Sequence, residues 1–337
     1  MNITRNELSH LIQTGIIPPE KVEQALATTK LAPTHTEWKN FLGNTLLWLG
    51  ALALCSSALF FIAYNWDEMG RFAKFGLVEI LLILSIALYW WSSKKASSAP
   101  DTPPLLHKVS LLMGSIFLGV LLAFYGQTYQ TGADTWQLFA MWCLLMLPWA
   151  IISRFAALWM LWLALLNTAI VLYFQAHTDL FSMIFDSNSS MLWLVAGVNA
   201  VALLIWELLE TRWKWLSANW ATRLIALASG IPITFLVIYS IFDEQSNFIP
   251  ALAWLVGLAL IYFVYRKRKP DLFMLAMACL SGISVILSLS GNFIFSNTAD
   301  IAGFFVQAIL VIVLGSMSAV WLKGIHKEQL LAEGDEL

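Results

Sequence analysis

Residues 42–64 read LGNTLLWLGALALCSSALFFIAY, an apolar run without a single charged side chain. A helix needs about 20 apolar residues to cross roughly 30 Å of hydrocarbon, and this run is long enough. In lipid the backbone must satisfy its own N–H and C=O groups, which one segment can do only as a helix. Runs of the same character recur near 72–91, 107–125, 135–152, 155–174, 189–209, 222–242, 248–265, 271–290 and 301–322, separated by short polar breaks. The fold expected is all-α: a polytopic transmembrane helical bundle of about ten spans over residues 41–322. Composition agrees. The 337 residues are 59% hydrophobic and 12% charged, with a mean hydropathy of +0.74. Soluble domains are about half apolar and about a quarter charged. The 17 Trp and 21 Phe fit the same medium, because amphipathic rings collect at membrane interfaces.

Charge tests the number of spans. With ten, alternate breaks collect every lysine and arginine on one side except Arg71 and Lys74. That bias predicts a cytoplasmic location for the basic side, with both termini in the cytoplasm of a bacterial cell and the bundle in its inner membrane. The acids Asp67, Glu68, Asp134, Asp179, Asp186, Asp243, Glu244 and Asp300 fall on the other side. Spans four and five are divided only by Ser153-Arg154. A charge in the middle of a continuous helix would be costly, whereas at a tight turn it reaches water, so Arg154 marks a break. The first run is too long for a signal-peptide core and lacks a small-x-small cleavage site, so it is expected to remain as the first span.

Residues 1–40 are the one sizeable polar segment. Thr4 and Glu7 have capping-box spacing, Gly15 suits a helix C-terminus, and Pro18-Pro19-Glu20 suits the first turn of a second helix. The expectation is a short cytoplasmic amphipathic hairpin that packs on something else, since forty residues rarely hold a core alone. Residues 323–337 are expected to form a cytoplasmic tail. The net charge of −2 says nothing about nucleic acid, but no basic domain is present that could bind it, so no nucleic-acid partner is expected. Cys55, Cys143 and Cys279 are scattered through apolar runs without C-x-x-C spacing, which fits apolar packing and not a disulfide or thiolate site.

Three stretches carry a resemblance. They are Leu11 to Leu26, LIQTGIIPPEKVEQAL; Leu59 to Gly76, LFFIAYNWDEMGRFAKFG; and Phe124 to Trp149, FYGQTYQTGADTWQLFAMWCLLMLPW. Together they resemble the bacterial predicted membrane protein family called domain of unknown function 2157, over roughly residues 5–175. The resemblance implies a polytopic inner-membrane protein without an assigned activity and without catalytic residues to carry over. Members of that family are often encoded beside other membrane proteins, which implies a membrane complex.

The candidate functional residues are polar groups at or within the spans. Trp66 and Asp67 follow span one, while Gln127, Gln130, Asp134 and Trp136 bracket the break into span four. A ring beside a carboxylate and amides can bind a cation or a polar head group. The plainer alternative is an interfacial aromatic beside a helix cap, with Asp134 at the N-cap of span four. Glu79 is the one carboxylate well inside a span. Either it binds a proton or cation, with Asn44, Asn167 and Asn199 as possible neighbours, or it is a neutral hydrogen-bonder between helices. Glu207 and Glu210 are spaced as a carboxylate pair that could do acid–base work or hold a metal, but no His is near to complete a ligand set. Glu210 with Lys214 is spaced for an ordinary helical ion pair. His177 and Asp179 read as solvated loop residues and not as metal ligands. Asn167, Asn199 and Gln307 are expected to bridge helices, and Pro148 and Pro232 to sit within theirs.

No H-E-x-x-H or G-x-S-x-G motif is present, and no cofactor or metal is expected. The function expected is that of a non-enzymatic component of a membrane complex, a scaffold or sensor in contact with the lipid bilayer and other membrane proteins. The alternative is a small-molecule or ion transporter with a polar cavity opening to the periplasm. The topology makes a direct prediction. Green fluorescent protein fused after Leu337 should fluoresce, and alkaline phosphatase fused after Glu68 or Asp134 should be active. A periplasmic carboxyl terminus would overturn the orientation.

Overall fold

The computed structural model describes residues 12, 14–18, 21–22, 25, 34–97, 105–177, 187–243, 248–297 and 301–335. Ten helices among them are long and apolar enough to cross a membrane. They are α1 (His35–Tyr64), α2 (Arg71–Ser97), α3 (Leu105–Tyr129), α4 (Thr135–Ser153), α5 (Ala156–Ala176), α6 (Ser187–Glu210), α7 (Asn219–Phe242), α8 (Ile249–Phe263), α9 (Leu272–Asn297) and α10 (Ile301–Asp335). A π-helical turn, Val264–Arg268, prolongs α8, and no strand occurs among the described residues. The chain is an integral membrane protein by this architecture.

Helix boundaries follow local chemistry. Thr34 and Glu37 form a capping box: the Thr34 N–H donates to Glu37 Oε2 at 2.7 Å, and the Glu37 N–H donates to Thr34 Oγ1 at 3.3 Å. These bonds satisfy donors that a helix start leaves orphaned, and they start α1 at His35, inside the segment expected to belong to the hairpin. Most of the two expected hairpin helices lies outside the described residues, as do Thr4, Glu7, Pro19 and Glu20; Ile12, Val22 and Ala25 are described and helical. Gly15 does adopt the left-handed conformation of a helix C-terminus, at φ 73°. Between α4 and α5 the break expected at Arg154 is present, and Arg154 itself sits at φ 45° and ψ 47°. Few residues other than glycine adopt that region, so the turn is held by the helices it joins. Helices α4 and α7 run through Pro148 and Pro232. At the far end, α10 does not stop with its span near 322 but continues as helix to Asp335.

The chain forms two compact units, which divide between Phe124 and Tyr125. In the first, Cys55 and Ile62 of α1, Val78 of α2, and Phe117, Val120 and Phe124 of α3 make one buried cluster. In the second, α7 is the hub, contacting α5, α6, α8 and α9, while α4 packs on α5 and α9 on α10.

Polar side chains join helices in this second unit. Asn199 is fully buried, and its amide faces Asn167 in a reciprocal pair with N···O distances of 2.7 and 3.1 Å. The second proton of each amide goes to a carbonyl one turn back, Leu163 O at 2.8 Å and Val195 O at 2.7 Å. Gln307 of α10 likewise donates to Leu287 O of α9 at 3.2 Å and accepts from Ser290 Oγ at 3.2 Å. The bridging expected of these three residues is therefore present. Removing one amide strands the other in an apolar setting, at a cost on the order of 1–2 kcal/mol. Asn199→Leu should accordingly lower the melting temperature in detergent, and the Asn167→Leu/Asn199→Leu double variant should melt above it. A single variant that melts like the wild type would show that the pair does not hold α5 to α6.

Candidate functional site

Two of the residues picked out in the first unit, Trp66 and Asp67, lie in the turn between α1 and α2. The Trp66 ring packs edge-on against Phe124, with centroids 5.5 Å apart. Side chains in a helix lean toward its N-terminus. Lys74, one turn into α2, therefore reaches back toward the turn, and its Nζ sits 3.7 Å from the centroid of the Trp66 ring. That is a close cation–π contact. The cation that a Trp beside an acid could attract from solution is supplied by the chain itself. Asp67 and Glu68 are exposed and make no ion pair among the described residues.

Sequence reasoning fixed on Glu79 and passed over Lys74. Glu79 is exposed, one residue round the helix from the buried Val78, and makes no hydrogen bond among the described residues. Two of the neighbours considered for it, Asn167 and Asn199, hold each other. Lys74 lies one turn before Val78, on the same face, and is only 8% exposed. Its signal was the position itself, one of two cations on the acidic side of the charge partition.

Residues 9–159 match the family model described as Predicted membrane protein (DUF2157). The match bears out the resemblance carried by the three motifs, and it contains every candidate described so far in this section. No curated protein and no solved structure matches the chain.

Within the DUF2157 match, the third motif, Phe124 to Trp149, forms the end of α3, a short loop and most of α4. Gln127, Gln130 and Asp134 are exposed there. Gln130 is left-handed at φ 45°, and Gly132 follows at φ 64°. Asp134 does occupy the N-cap of α4, but its carboxylate makes no capping bond. Trp136 is half-buried and meets the Tyr173 ring edge-on at 5.0 Å, while His177 stacks on Tyr173 at 4.4 Å. His177 Nδ1 lies 2.9 Å from Tyr173 O, so the residue belongs to an aromatic group and not to the solvated loop expected of it. Its companion Asp179 lies outside the described residues. The indole nitrogen of Trp136 is buried without a hydrogen-bond partner among the described residues.

Beyond the DUF2157 match, an ionic cluster ties the turn after α8 to its neighbours. Lys269 Nζ pairs with both Glu207 and Glu210 of α6. Tyr265 Oη donates to Glu207 Oε1 at 2.7 Å. Arg223 of α7 makes a two-pronged contact with Asp271 at 3.0 and 3.2 Å, and Arg266 pairs with Glu328 of α10. Glu210 thus takes Lys269 as partner, 59 residues away in sequence, where a local pair with Lys214 was expected. The signal was present in the basic run 266–269, whose charges enter the partition between the two sides but do not say which acids they meet. Next to this cluster Trp215 stacks on Trp159 and Trp213 and meets Trp206 edge-on, and Trp206 Nε1 donates to Leu216 O at 2.9 Å.

Burial alone would lower the Lys269 pKa, but hydrogen bonds to Glu207 and Glu210, and their charge, outweigh it and hold the ammonium above its ordinary 10.5. A group whose pKa is raised on folding stabilises the fold below its unfolded pKa and loses that effect as pH rises through the folded one. Lys269→Met leaves two carboxylates facing each other, so it should melt below the wild type. The gap should stay constant through neutral pH and close only above about 10.5. A gap that closed near pH 7 would show that Lys269 is not the group responsible.

Proposed function

We propose that this chain is a non-enzymatic component of a membrane complex, a scaffold or sensor that works with other membrane proteins. Its place is the bacterial inner membrane, with both termini in the cytoplasm. The observation that supports this reading is how the second unit uses its polar groups. Asn167 with Asn199, Gln307 with Ser290, and Lys269 with Glu207 and Glu210 are each committed to holding one helix to another. Groups so committed stabilise a fixed bundle, whereas a transport path needs polar groups left open to its cargo.

A transporter remains the second reading, and one feature favours it. An open groove of about 710 Å³ is formed by α7, α9 and α10, lined by Phe242, Leu287, Gly291, Asn292, Phe304 and Gln307 among others. Its walls are mostly apolar, and Asn292 Nδ2 already donates to Ile241 O at 2.9 Å. Affinity purification of the tagged full chain in mild detergent separates the two readings. A scaffold or sensor should retain other membrane proteins, and deleting residues 1–40 should reduce what is retained. Recovery of this chain alone, with uptake of a solute into vesicles that Gln307→Leu abolishes, would overturn the proposal in favour of transport.

A further inference from the structure

We infer that the face of α2 that carries Glu79 docks a transmembrane helix of a different membrane protein, one that brings a lysine or arginine to the carboxylate. The inference rests on the reading of this chain as part of a membrane complex, and it names the surface and the chemistry of the partner. Glu79 stands eight residues beyond Arg71, about 12 Å along the helix at about 1.5 Å per residue. It is exposed and has no hydrogen bond or ion pair among the described residues. The medium there is hydrocarbon, which cannot hydrogen-bond to a carboxyl group in either protonation state. Lysine and arginine reach water from such a depth on long stems, but the stem of glutamate is short. Acids inside spans are accordingly rare and meet a partner.

The surroundings of Glu79 have the form of a helix-packing seam. Phe72, Gly76, Glu79, Ile83, Ile86 and Trp90 recur in alternating steps of four and three residues along one side of α2. All but Gly76 are exposed, and a Cβ added at Gly76 would meet nothing within 4 Å. A small residue one turn from a polar one lets a second backbone come close enough for the side chains to bond. The opposite side, with Lys74, Val78 and Ser85, is the one buried in this chain. Lipid tails can cover the isoleucines, so the apolar part of the seam requires no protein. The carboxylate does, and charge complementarity chooses among the candidates. A second copy of this chain, related by a two-fold axis along the membrane normal, would set Glu79 against Glu79. A neighbouring helix with a cation satisfies both charges, since either one alone is costly in hydrocarbon.

Photo-cross-linking in the native membrane tests this, with benzoylphenylalanine in place of Ile83, one turn from Glu79, in the full chain. The adduct expected is a different membrane protein. Its cross-linked peptide, sequenced by mass spectrometry, should be a span that contains a lysine or arginine. Glu79→Leu should cut the yield roughly tenfold, the size of one interhelical polar contact. Glu79→Lys should abolish it, and glutamate in place of the partner's mapped cation should then restore it. Purified in detergent, Glu79→Leu should melt at or above the wild type, because the carboxylate bonds to nothing among the described residues. A Glu79→Leu variant that melts below the wild type would assign Glu79 to this chain's own fold and overturn the inference. So would an adduct to a second copy, a partner span without a cation, no protein adduct at all, or a yield that Glu79→Leu leaves unchanged. If the tagged chain retains membrane proteins and Glu79→Leu retains them all equally, the scaffold or sensor reading stands and this inference alone falls; a chain recovered by itself removes both.

Discussion

Hydrocarbon offers no hydrogen bonds, and this one property of the solvent governs the chain at every level. It forces each span into a helix, because only a helix pairs its own backbone groups. It then acts on the side chains. Ser85, Ser115, Thr168 and Thr234 each turn a hydroxyl back to the carbonyl four residues earlier, at 2.8 to 3.0 Å. Those bonds neutralise a polar atom without needing a second helix. Where a second helix is available, the same requirement becomes cohesive. Trp254 Nε1 donates to Ser281 Oγ at 2.8 Å, and Ser281 in turn meets Thr234 at 2.7 Å, so α7, α8 and α9 share one small polar knot. Apolar packing cannot choose one neighbour over lipid in this way, since lipid tails are as apolar as leucine.

At the helix ends water returns, and charge takes over from amides. The π-helical turn after α8 inserts an extra residue per turn, shown by the Lys269 N–H donating to Val264 O at 2.9 Å. In the same short segment Tyr265 and Lys269 reach α6 while Arg266 reaches α10. Asp271 closes the arrangement, accepting from Arg223 of α7 and from the Phe273 amide at the start of α9. A connection of a few residues thereby contacts four helices. Fully exposed pairs of this kind contribute little, but Glu207, Glu210 and Asp271 keep less than a quarter of their side-chain surface in water.

The positions of the spans could be read from sequence because hydropathy is a one-dimensional signal. Arg154 was legible for the same reason, as a charge that lipid would not accept mid-helix. Rotation about a helix axis is a different matter. Glu79 was assigned by its depth along α2, yet depth does not say which way a side chain faces; one residue separates it from the buried Val78, and that is about 100°. Lys74, one turn before Val78, falls on the buried face by the same geometry. Partners were less legible still. Glu210 had a good local candidate in Lys214, and only the path of the chain could bring Lys269 to it. The Thr34–Glu37 box was readable by the rule applied to Thr4 and Glu7, but it lay inside a segment already assigned to the hairpin.

The Trp66 turn shows why composition alone misassigns the sign of a site. An aromatic ring beside carboxylates attracts cations whatever their source. A cation tethered one helical turn away occupies the ring before any solute can, because its local concentration is fixed by the covalent chain. Once Lys74 is in place, the ring face is filled. Polar capacity is therefore distributed unevenly along the chain. The later helices commit their ions and amides to one another, as at Lys269 and Asn199, whereas the DUF2157-matched part leaves Asp67, Gln130 and Asp134 without hydrogen-bond or ion-pair partners among the described residues. Uncommitted groups at a membrane surface contribute little to folding, so their chemistry is available for recognition.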